Sequence, residues 1–242
     1  MLLLYRIKMS DKLSYKPFYR RRLPHIQPEG ATLFITFRLA NSLPIEVVKK
    51  LREENWQIKK RLEQIADKKE REKQSESESR RLFGKWDDAL DTLAFCEKYL
   101  SNPQIAELVA ESLHYRDGKV YDLDAFCIMP NHAHLVCEPS EENKGKYFSL
   151  SKIMHSLKRH TARRSNLILG REGAFWQHEN YDHFVRNGAE LERIIKYVLY
   201  NPVKVFDRRL GKMEMDLLKI CNVAQIGNLR YGGNNEFFGF TF

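Results

Sequence analysis

The chain has 242 residues, 43% of them hydrophobic, with 41 Lys and Arg against 32 Asp and Glu, so its formal charge is +9. This hydrophobic fraction can build a core, which argues against general disorder, and the length suits one large domain with or without a helical elaboration. No apolar run reaches membrane-spanning length, and "MLLLY" is too short for a signal segment, so we predict a cytoplasmic protein.

The N-terminal third passes from a basic, irregular start into dense mixed charge. Residues 10–30 carry proline and glycine turn signals, and the following "ATLFITFRLA" predicts a buried strand because it is rich in β-branched and aromatic residues. From Glu46 to Lys73 opposite charges alternate without Gly or Pro, which predicts one or two exposed helices. "QSESESRR" at 74–81 is polar throughout and predicts a mobile loop.

The rest of the chain predicts one strand pair among three helices. This order indicates an α+β fold, an antiparallel sheet with helices packed on one face and a helical insertion. The tail from Phe206 is ambiguous, and we predict that "YGGNNEFFGFTF" is poorly ordered. The predicted elements are a helix at Asn102–Tyr115, a strand pair within 116–139 with turn residues Asp117-Gly118, a helix within 149–170, and a helix from 187 that Asn201-Pro202 ends.

Two histidines lie one residue apart in "IMPNHAHLV". Side chains at i and i+2 of a strand point to the same face, so His132 and His134 can offer two imidazole nitrogens to one metal ion. Between and after them, Ala133, Leu135 and Cys137 point to the other face as an apolar set. A purely structural histidine pair is the alternative, because this short spacing also arises by chance.

A second polar, aromatic segment precedes the last helix, "FWQHENYDHFVRN" at 175–187. Tyr181 stands there between Asn180 and Asp182. Such a tyrosine is often only an amphipathic surface residue. It becomes a nucleophile when a metal ion or cationic neighbours stabilise the phenolate, and that is the hypothesis we take forward.

The helix within 149–170 carries a cationic stripe. No acidic residue occurs from Ser149 to Arg171, and a stripe of this kind neutralises phosphates and releases counterions. Solvated basic faces are common, so the stripe alone does not decide between solvent and DNA. The candidate nucleic-acid-binding residues are Lys152, His155, Lys158, Arg159, Arg163 and Arg164.

These segments occur in an order that resembles a known family. "IMPNHAHLV" looks like the HUH motif of single-strand DNA nucleases, two histidines flanking a hydrophobic residue. Together with "LPHIQPEGATLFITFRL", "IMHSLKRHTARRSN", "FWQHENYDHFVRN" and "IIKYVLYNPVKV", it resembles the single-tyrosine transposases, in particular their REP-associated branch. The resemblance implies an HUH, ferredoxin-like sheet in a catalytic domain at 23–205 with a helical insertion at 45–112, between a basic segment at 1–22 and a tail at 206–242.

The same resemblance implies roles for individual residues. His132 and His134 would bind a divalent ion, Mg²⁺ or Mn²⁺, and Tyr181 would be the nucleophile. The third ligand would be a polar side chain on or near the tyrosine helix. His183 is our candidate, with Gln177 and Asp182 as alternatives. In mobile-element relatives a glutamine lies four residues after the tyrosine, whereas Val185 holds that position after Tyr181.

The function implied is a metal-dependent single-strand DNA endonuclease and strand-transferase. It would form a 5′-phosphotyrosine intermediate on hairpin-forming DNA, act near the nucleoid without a membrane, and work as a monomer or homodimer. The alternative is a domesticated DNA- or RNA-binding protein that has lost activity. A barrel-type metal hydrolase with the same histidine spacing is set aside, because repeated strand–helix units are absent from the sequence.

Overall fold

The computed structural model describes residues 30–91 and 97–202, together with the backbone of residues 19–20, 24–25, 92, 203–210 and 223–226. The predicted α+β class is confirmed: an antiparallel sheet is covered by helices. Within these residues no helix combines the length and the apolar character needed to cross a bilayer.

Nine strands, five α-helices and one 3-10 turn at Tyr99–Ser101 make up the described structure, with strands and α-helices numbered in chain order. The strands are β1 (Tyr19–Arg20), β2 (Pro24–His25), β3 (Leu33–Arg38), β4 (Tyr121–Ile128), β5 (His132–Pro139), β6 (Glu141–Asn143), β7 (Lys146–Tyr147), β8 (Tyr181–Phe184) and β9 (Val223–Ile226). The helices are α1 (Ile45–Glu63), α2 (Lys68–Thr92), α3 (Pro103–His114), α4 (Leu150–Ile168) and α5 (Gly188–Leu210).

Five strands form the main sheet in the order β8-β3-β5-β4-β9, and every neighbouring pair is antiparallel. The predicted strand pair is the hairpin of β4 and β5, which turns through residues 129–131. The predicted turn residue Gly118 has φ +69° and precedes β4. A hairpin with β3 beside it places β5 in the centre of the sheet, where both of its edges are hydrogen-bonded.

The two faces of this sheet differ in what covers them. We call the face that carries Ile35 and Leu135 the core face; α3 and α4 pack on it, and it holds the larger apolar cluster. We call the face that carries His132 and His134 the histidine face; α5 packs there, over a smaller apolar cluster that includes Phe34. The prediction that helices cover one face is therefore wrong, because α5 is amphipathic as well and buries its own apolar stripe on the second face.

Local sequence explains where the helices begin. Asn102 caps α3 by accepting the Gln104 backbone N–H, with Pro103 in the first turn, and Ser149 caps α4 by accepting the Lys152 backbone N–H. The α3 and α4 predictions are confirmed. The predicted end of the last helix at Asn201-Pro202 is wrong, because α5 continues through Pro202 to Leu210. A proline removes one helical hydrogen bond but does not oblige the chain to leave the helix.

Helices α1 and α2 form a charged hairpin within the segment predicted to be an insertion. The predicted loop at 74–81 is wrong, because it lies inside α2. Its charges pair along the helix, as in Arg80–Glu76, and across to α1, where Glu54 accepts from both Arg81 and Lys85. Ion pairs of this kind stabilise a helix that is polar on most sides. The polar composition of the segment alone therefore does not reveal that it is helical.

The terminal predictions concern residues that the structure describes only in part. The basic segment at 1–22 and the tail at 206–242 lie outside the described residues, apart from the short strands β1 and β9 and the end of α5. Strand β9 pairs with β4 at the edge of the main sheet.

Candidate metal centre and nucleophile

Strand β5 carries both histidines on one face, as its spacing predicts. In the register with β3, His132 lies opposite Arg38 and His134 opposite Thr36. Both imidazoles have no exposed surface. The intervening Ala133 belongs to the apolar cluster of the core face, so β5 separates a polar pair from a hydrophobic set within a few residues.

Hydrogen bonds to the Nδ1 atoms of His132 and His134 fix the orientation of the two imidazole rings. The Asn131 amide donates to the Leu90 carbonyl, so its oxygen faces His132 and accepts from Nδ1 at 2.7 Å. His134 Nδ1 lies 2.8 Å from the Thr36 hydroxyl. Metal-binding histidines are usually held in this way, through the nitrogen that does not face the ion.

The Nε2 atoms of the two imidazoles point at each other. His132 Nε2 and His134 Nε2 are 3.1 Å apart, and the Asn201 side-chain amide donates to His134 Nε2 at 2.8 Å. With Nδ1 protonated in each ring, both Nε2 atoms present lone pairs, and a cation between them would relieve their repulsion. Burial first, and then the neighbouring His134, lower the pKa of His132 to about 3, so this imidazole is neutral at physiological pH.

A carboxylate from α2 joins this pair. Asp87 of α2 places Oδ1 3.3 Å from His134 Nε2 and 3.8 Å from His132 Nε2. Burial favours the protonated acid, but hydrogen bonding and charge from His134 outweigh it and hold the pKa of Asp87 well below its usual range. Asp87 is therefore an anion at neutral pH, buried beside the two imidazoles.

These three side chains fit a divalent metal ion. One donor atom from each of Asp87, His132 and His134 lies within 4.8 Å of the others. Two imidazoles and one carboxylate suit a divalent first-row ion and leave other coordination positions open.

Helix α5 brings a tyrosine and an amide to the same cluster. The Tyr197 hydroxyl donates to Asp87 Oδ2, and the Asn201 amide lies 3.2 Å from the Tyr197 oxygen. The Asn201 side-chain oxygen is buried and has no hydrogen-bond partner in the described structure. Rotation of this amide by half a turn would turn that oxygen toward His134 Nε2, so Asn201 is a further potential metal ligand.

Tyr181 lies on the same face of the sheet but farther from the histidines. It starts β8 opposite Thr36, which in turn lies opposite His134, so two strand spacings of about 4.8 Å separate Tyr181 from His134. Its ring packs 4.8 Å from that of Phe83 between centroids. Burial, and next the charge of Asp182, raise the pKa of Tyr181 above its usual range. Its role as nucleophile stays a prediction.

The candidates for the third ligand have other neighbours. His183 lies 3.1 Å from Glu190 on α5. Asp182 is opposite Ile35 and therefore on the core-face side of β8, while the Gln177 backbone N–H donates to the Arg38 carbonyl. The structure places Asp87 in the cluster with the histidine pair, so a role for His183 in metal binding stays a prediction.

The part of the chain that carries most of this site matches a known protein family. Residues 97–201 match the family model described as "Transposase IS200 like". The resemblance to the transposase family is confirmed. This transposase-like region contains the histidine pair, Tyr181, Tyr197 and Asn201; Asp87 lies before it.

Two individual relatives are similar to the chain. A Haemophilus influenzae protein named "Putative REP-associated tyrosine transposase" is 26% identical over 89 residues, which are 35% of this chain and 51% of that protein. The chain thus spans about half the length of the curated relative it matches. The solved structure titled "Structure of the REP associates tyrosine transposase bound to a REP hairpin" aligns with 92% of this chain and 100% of its own, at 14% identity and a TM-score of 0.38.

The basic helix of the transposase-like region lies on the other side of the sheet. Helix α4 packs its apolar side on the core face, opposite the histidines. Lys158 is half-buried and donates to the carbonyls of Gln177 and His178 at 3.0 and 3.2 Å. DNA contact by this helix stays a prediction; its exposed candidates are Lys152, His155, Arg159, Arg163 and Arg164.

Three residues of the site were not found from the sequence. Asn201 was interpreted only as part of a helix stop, although Tyr197 and Asn201 have the spacing of a tyrosine followed four residues later by an amide. That spacing was the available signal, because i and i+4 lie on one face of a helix. Asp87 gave no signal in the sequence. It lies in a run of charged residues, and only the packing of α2 buries it while the adjacent residues stay more exposed.

Proposed function

We propose that the protein is a metal-dependent single-strand DNA endonuclease and strand-transferase. The observation that carries this proposal is the contact of the Tyr197 hydroxyl with the Asp87 carboxylate, which also faces two imidazoles; Tyr197 and both histidines lie in the transposase-like region. The substrate class, hairpin-forming single-stranded DNA, follows from the family resemblance. We expect action in the cytoplasm, at the nucleoid.

Asp87, His132 and His134 would hold Mg²⁺ or Mn²⁺, with Asn201 in reach as a further ligand. A divalent ion there would supply Lewis-acid stabilisation of charge on the scissile phosphate. Asn131 and Thr36 keep the imidazole lone pairs aimed inward, so the protein reorganises little when the ion binds.

Of the two candidate tyrosines, the geometry favours Tyr197 as the nucleophile. Its hydroxyl contacts the metal candidate Asp87, whereas Tyr181 lies about two strand spacings from His134. Attack by the phenol oxygen would form an O–P bond, break the bond from phosphorus to the 3′ oxygen, and leave a 5′-phosphotyrosine with a free 3′-OH. Attack by a 3′-OH would reverse the step and join strands without ATP.

The test is covalent capture. The protein is incubated with labelled single-stranded DNA that carries a hairpin, plus Mn²⁺, and the adduct is digested and located by mass spectrometry. We expect an adduct on Tyr197 that Tyr197→Phe abolishes and the matched variant Tyr181→Phe retains. An adduct on Tyr181 would return the nucleophile to the residue predicted from the sequence, and no adduct with either would contradict the enzyme assignment.

One observation favours the second candidate function, a nucleic-acid-binding protein without activity. Both histidines are fully buried, so the substrate needs a local opening to reach them. Such a protein would bind hairpin DNA in a salt-sensitive way, since Lys and Arg contacts with phosphates release counterions. It would form no adduct at any Mn²⁺ concentration, so the same experiment separates the two functions.

A further inference from the structure

The insertion contributes a buried anion to a site that otherwise belongs to the transposase-like region. Asp87 is 2% exposed, whereas its neighbour Asp88 is exposed. Burying a carboxylate is costly unless hydrogen bonds or opposite charges compensate. The partners of Asp87 therefore indicate what it does.

The two oxygens of Asp87 face different groups. Oδ1 lies toward the imidazoles, 3.3 Å from His134 Nε2, and Oδ2 accepts the hydrogen bond from the Tyr197 hydroxyl. One carboxylate thus joins the metal candidates to the candidate nucleophile. This link runs from α2 to α5, two helices that no short sequence motif connects.

Tyr197 is held on several sides. Its ring meets Phe34, Phe83 and His134 edge-on, with centroid distances of 6.1, 5.9 and 5.5 Å. The Asn201 amide donates to its oxygen at 3.2 Å. The ring position is therefore set by packing, while the direction of the O–H bond is set by its acceptor, Asp87.

We infer that Asp87 is the positioning residue of the nucleophile: its Oδ2 fixes the Tyr197 hydroxyl beside the metal candidates, and the helical insertion is thereby a working part of the active centre. This inference rests on the proposed function, with Tyr197 as the attacking group. It assigns Asp87 a second role, separate from metal binding through Oδ1. A misplacement of about 1 Å at a reacting atom can cost about 100-fold in rate.

The first test needs no activity. The protein is labelled with 3-fluorotyrosine, and the ¹⁹F resonance of Tyr197 is assigned with Tyr197→Phe. In protein free of DNA and metal, Asp87→Asn should shift that resonance, and the matched variant Asp88→Asn, which removes an exposed charge from the next position, should not. An unshifted resonance in folded Asp87→Asn would overturn the inference even if wild-type protein forms the adduct.

The second test separates positioning from metal binding. Adduct formation is followed in single turnovers at saturating hairpin DNA while Mn²⁺ is raised. For Asp87→Asn we expect a rate about 100-fold below wild type at saturating Mn²⁺, with unchanged DNA affinity. Recovery of the wild-type rate at high Mn²⁺ would mean that Asp87 serves only as a ligand and would overturn the inference.

A second variant at this position tests the inference even if Asp87→Asn fails to fold. Asp87→Glu keeps the charge but moves the carboxylate by one methylene, so it should retain Mn²⁺ binding, shift the Tyr197 resonance and slow adduct formation. Wild-type values in both measurements would contradict the inference. If the wild-type protein itself forms no adduct, the proposed function fails, whereas the resonance shift still reports whether Asp87 holds Tyr197.

Discussion

The two faces of β5 are equally buried and differ in what burial achieves. Leu135 on the core face and His134 on the histidine face both have no exposed surface. Leu135 lies in the larger apolar cluster, whereas His134 is in contact with Thr36, Asn201, His132 and Asp87. Burying polar groups adds little stability even when they are paired, so the core face contributes most of the stability, and under the proposed function the histidine face serves the chemistry.

The largest effect expected from this comparison is on chemistry. His134→Ala removes one nitrogen of the proposed metal site, so adduct formation on hairpin DNA should fall by about 100- to 1,000-fold. Salt-sensitive DNA binding should persist, which a filter-binding or anisotropy titration checks. Loss of DNA binding together with cleavage would indicate a folding defect in His134→Ala. The histidine face would then contribute to stability as the core face does, which contradicts the comparison.

On the core face, the matched change acts on stability. Leu135→Ala should lower the free energy of unfolding by about 2–5 kcal/mol, because it removes buried apolar surface and leaves a cavity. Urea unfolding gives the value, and adduct formation per folded molecule should stay at the wild-type level. A slow adduct step in folded Leu135→Ala would show that the core face also governs the site.

A largely buried carboxylate of β4, Asp124, destabilises the fold electrostatically. Asp124 lies at a bulge of β4, near the cross-strand pair of Asp122 and Glu138. Burial first, and then Glu138 and Asp122, raise its pKa from 3.8 to about 7. The folded state thus favours the protonated acid, so Asp124 destabilises the fold above pH 7, and this penalty disappears as the pH falls toward 4.

Asp124→Asn should therefore stabilise the protein most at high pH. We expect a gain of about 2 kcal/mol at pH 8, which is less than full burial would give, because the residue is partly exposed and solvent screens its neighbours. The gain should shrink steadily when urea unfolding is repeated at pH 7, 6 and 5. A gain that is independent of pH would exclude ionisation of Asp124 as the cause.

The smallest effect on stability is expected for a surface ion pair between α2 and the segment that precedes α5. Arg186 pairs with Glu76 at 2.8 Å, and both side chains are about one-third exposed. Glu76→Gln should change the free energy of unfolding by about 0.5 kcal/mol or less, because solvent screens such pairs. A much larger loss would mean that this ion pair, rather than the buried contacts of Phe83 and Asp87, holds α2 in place.

Local sequence rules were sufficient for most elements. The apolar spacing and caps of α3 and α4, and the β-branched residues of β3, predicted these elements because their causes are local. The segment 74–81 was wrongly predicted as a loop, since its stabilising pairs include a contact between Arg61 and Glu78 on separate helices. The end of α5 was misjudged because proline limits a helix without always ending it.

By itself, the sequence determined that His132 and His134 share one face, because alternation along a strand depends only on backbone geometry. It also determined the order of motifs from which the transposase resemblance was recognised. Only the tertiary structure decided which groups meet these histidines. Asp87 is 45 residues before His132 and Tyr197 is 65 residues after it; their contact depends on α2 and α5 packing against the same face of the sheet, and no local pattern encodes that packing.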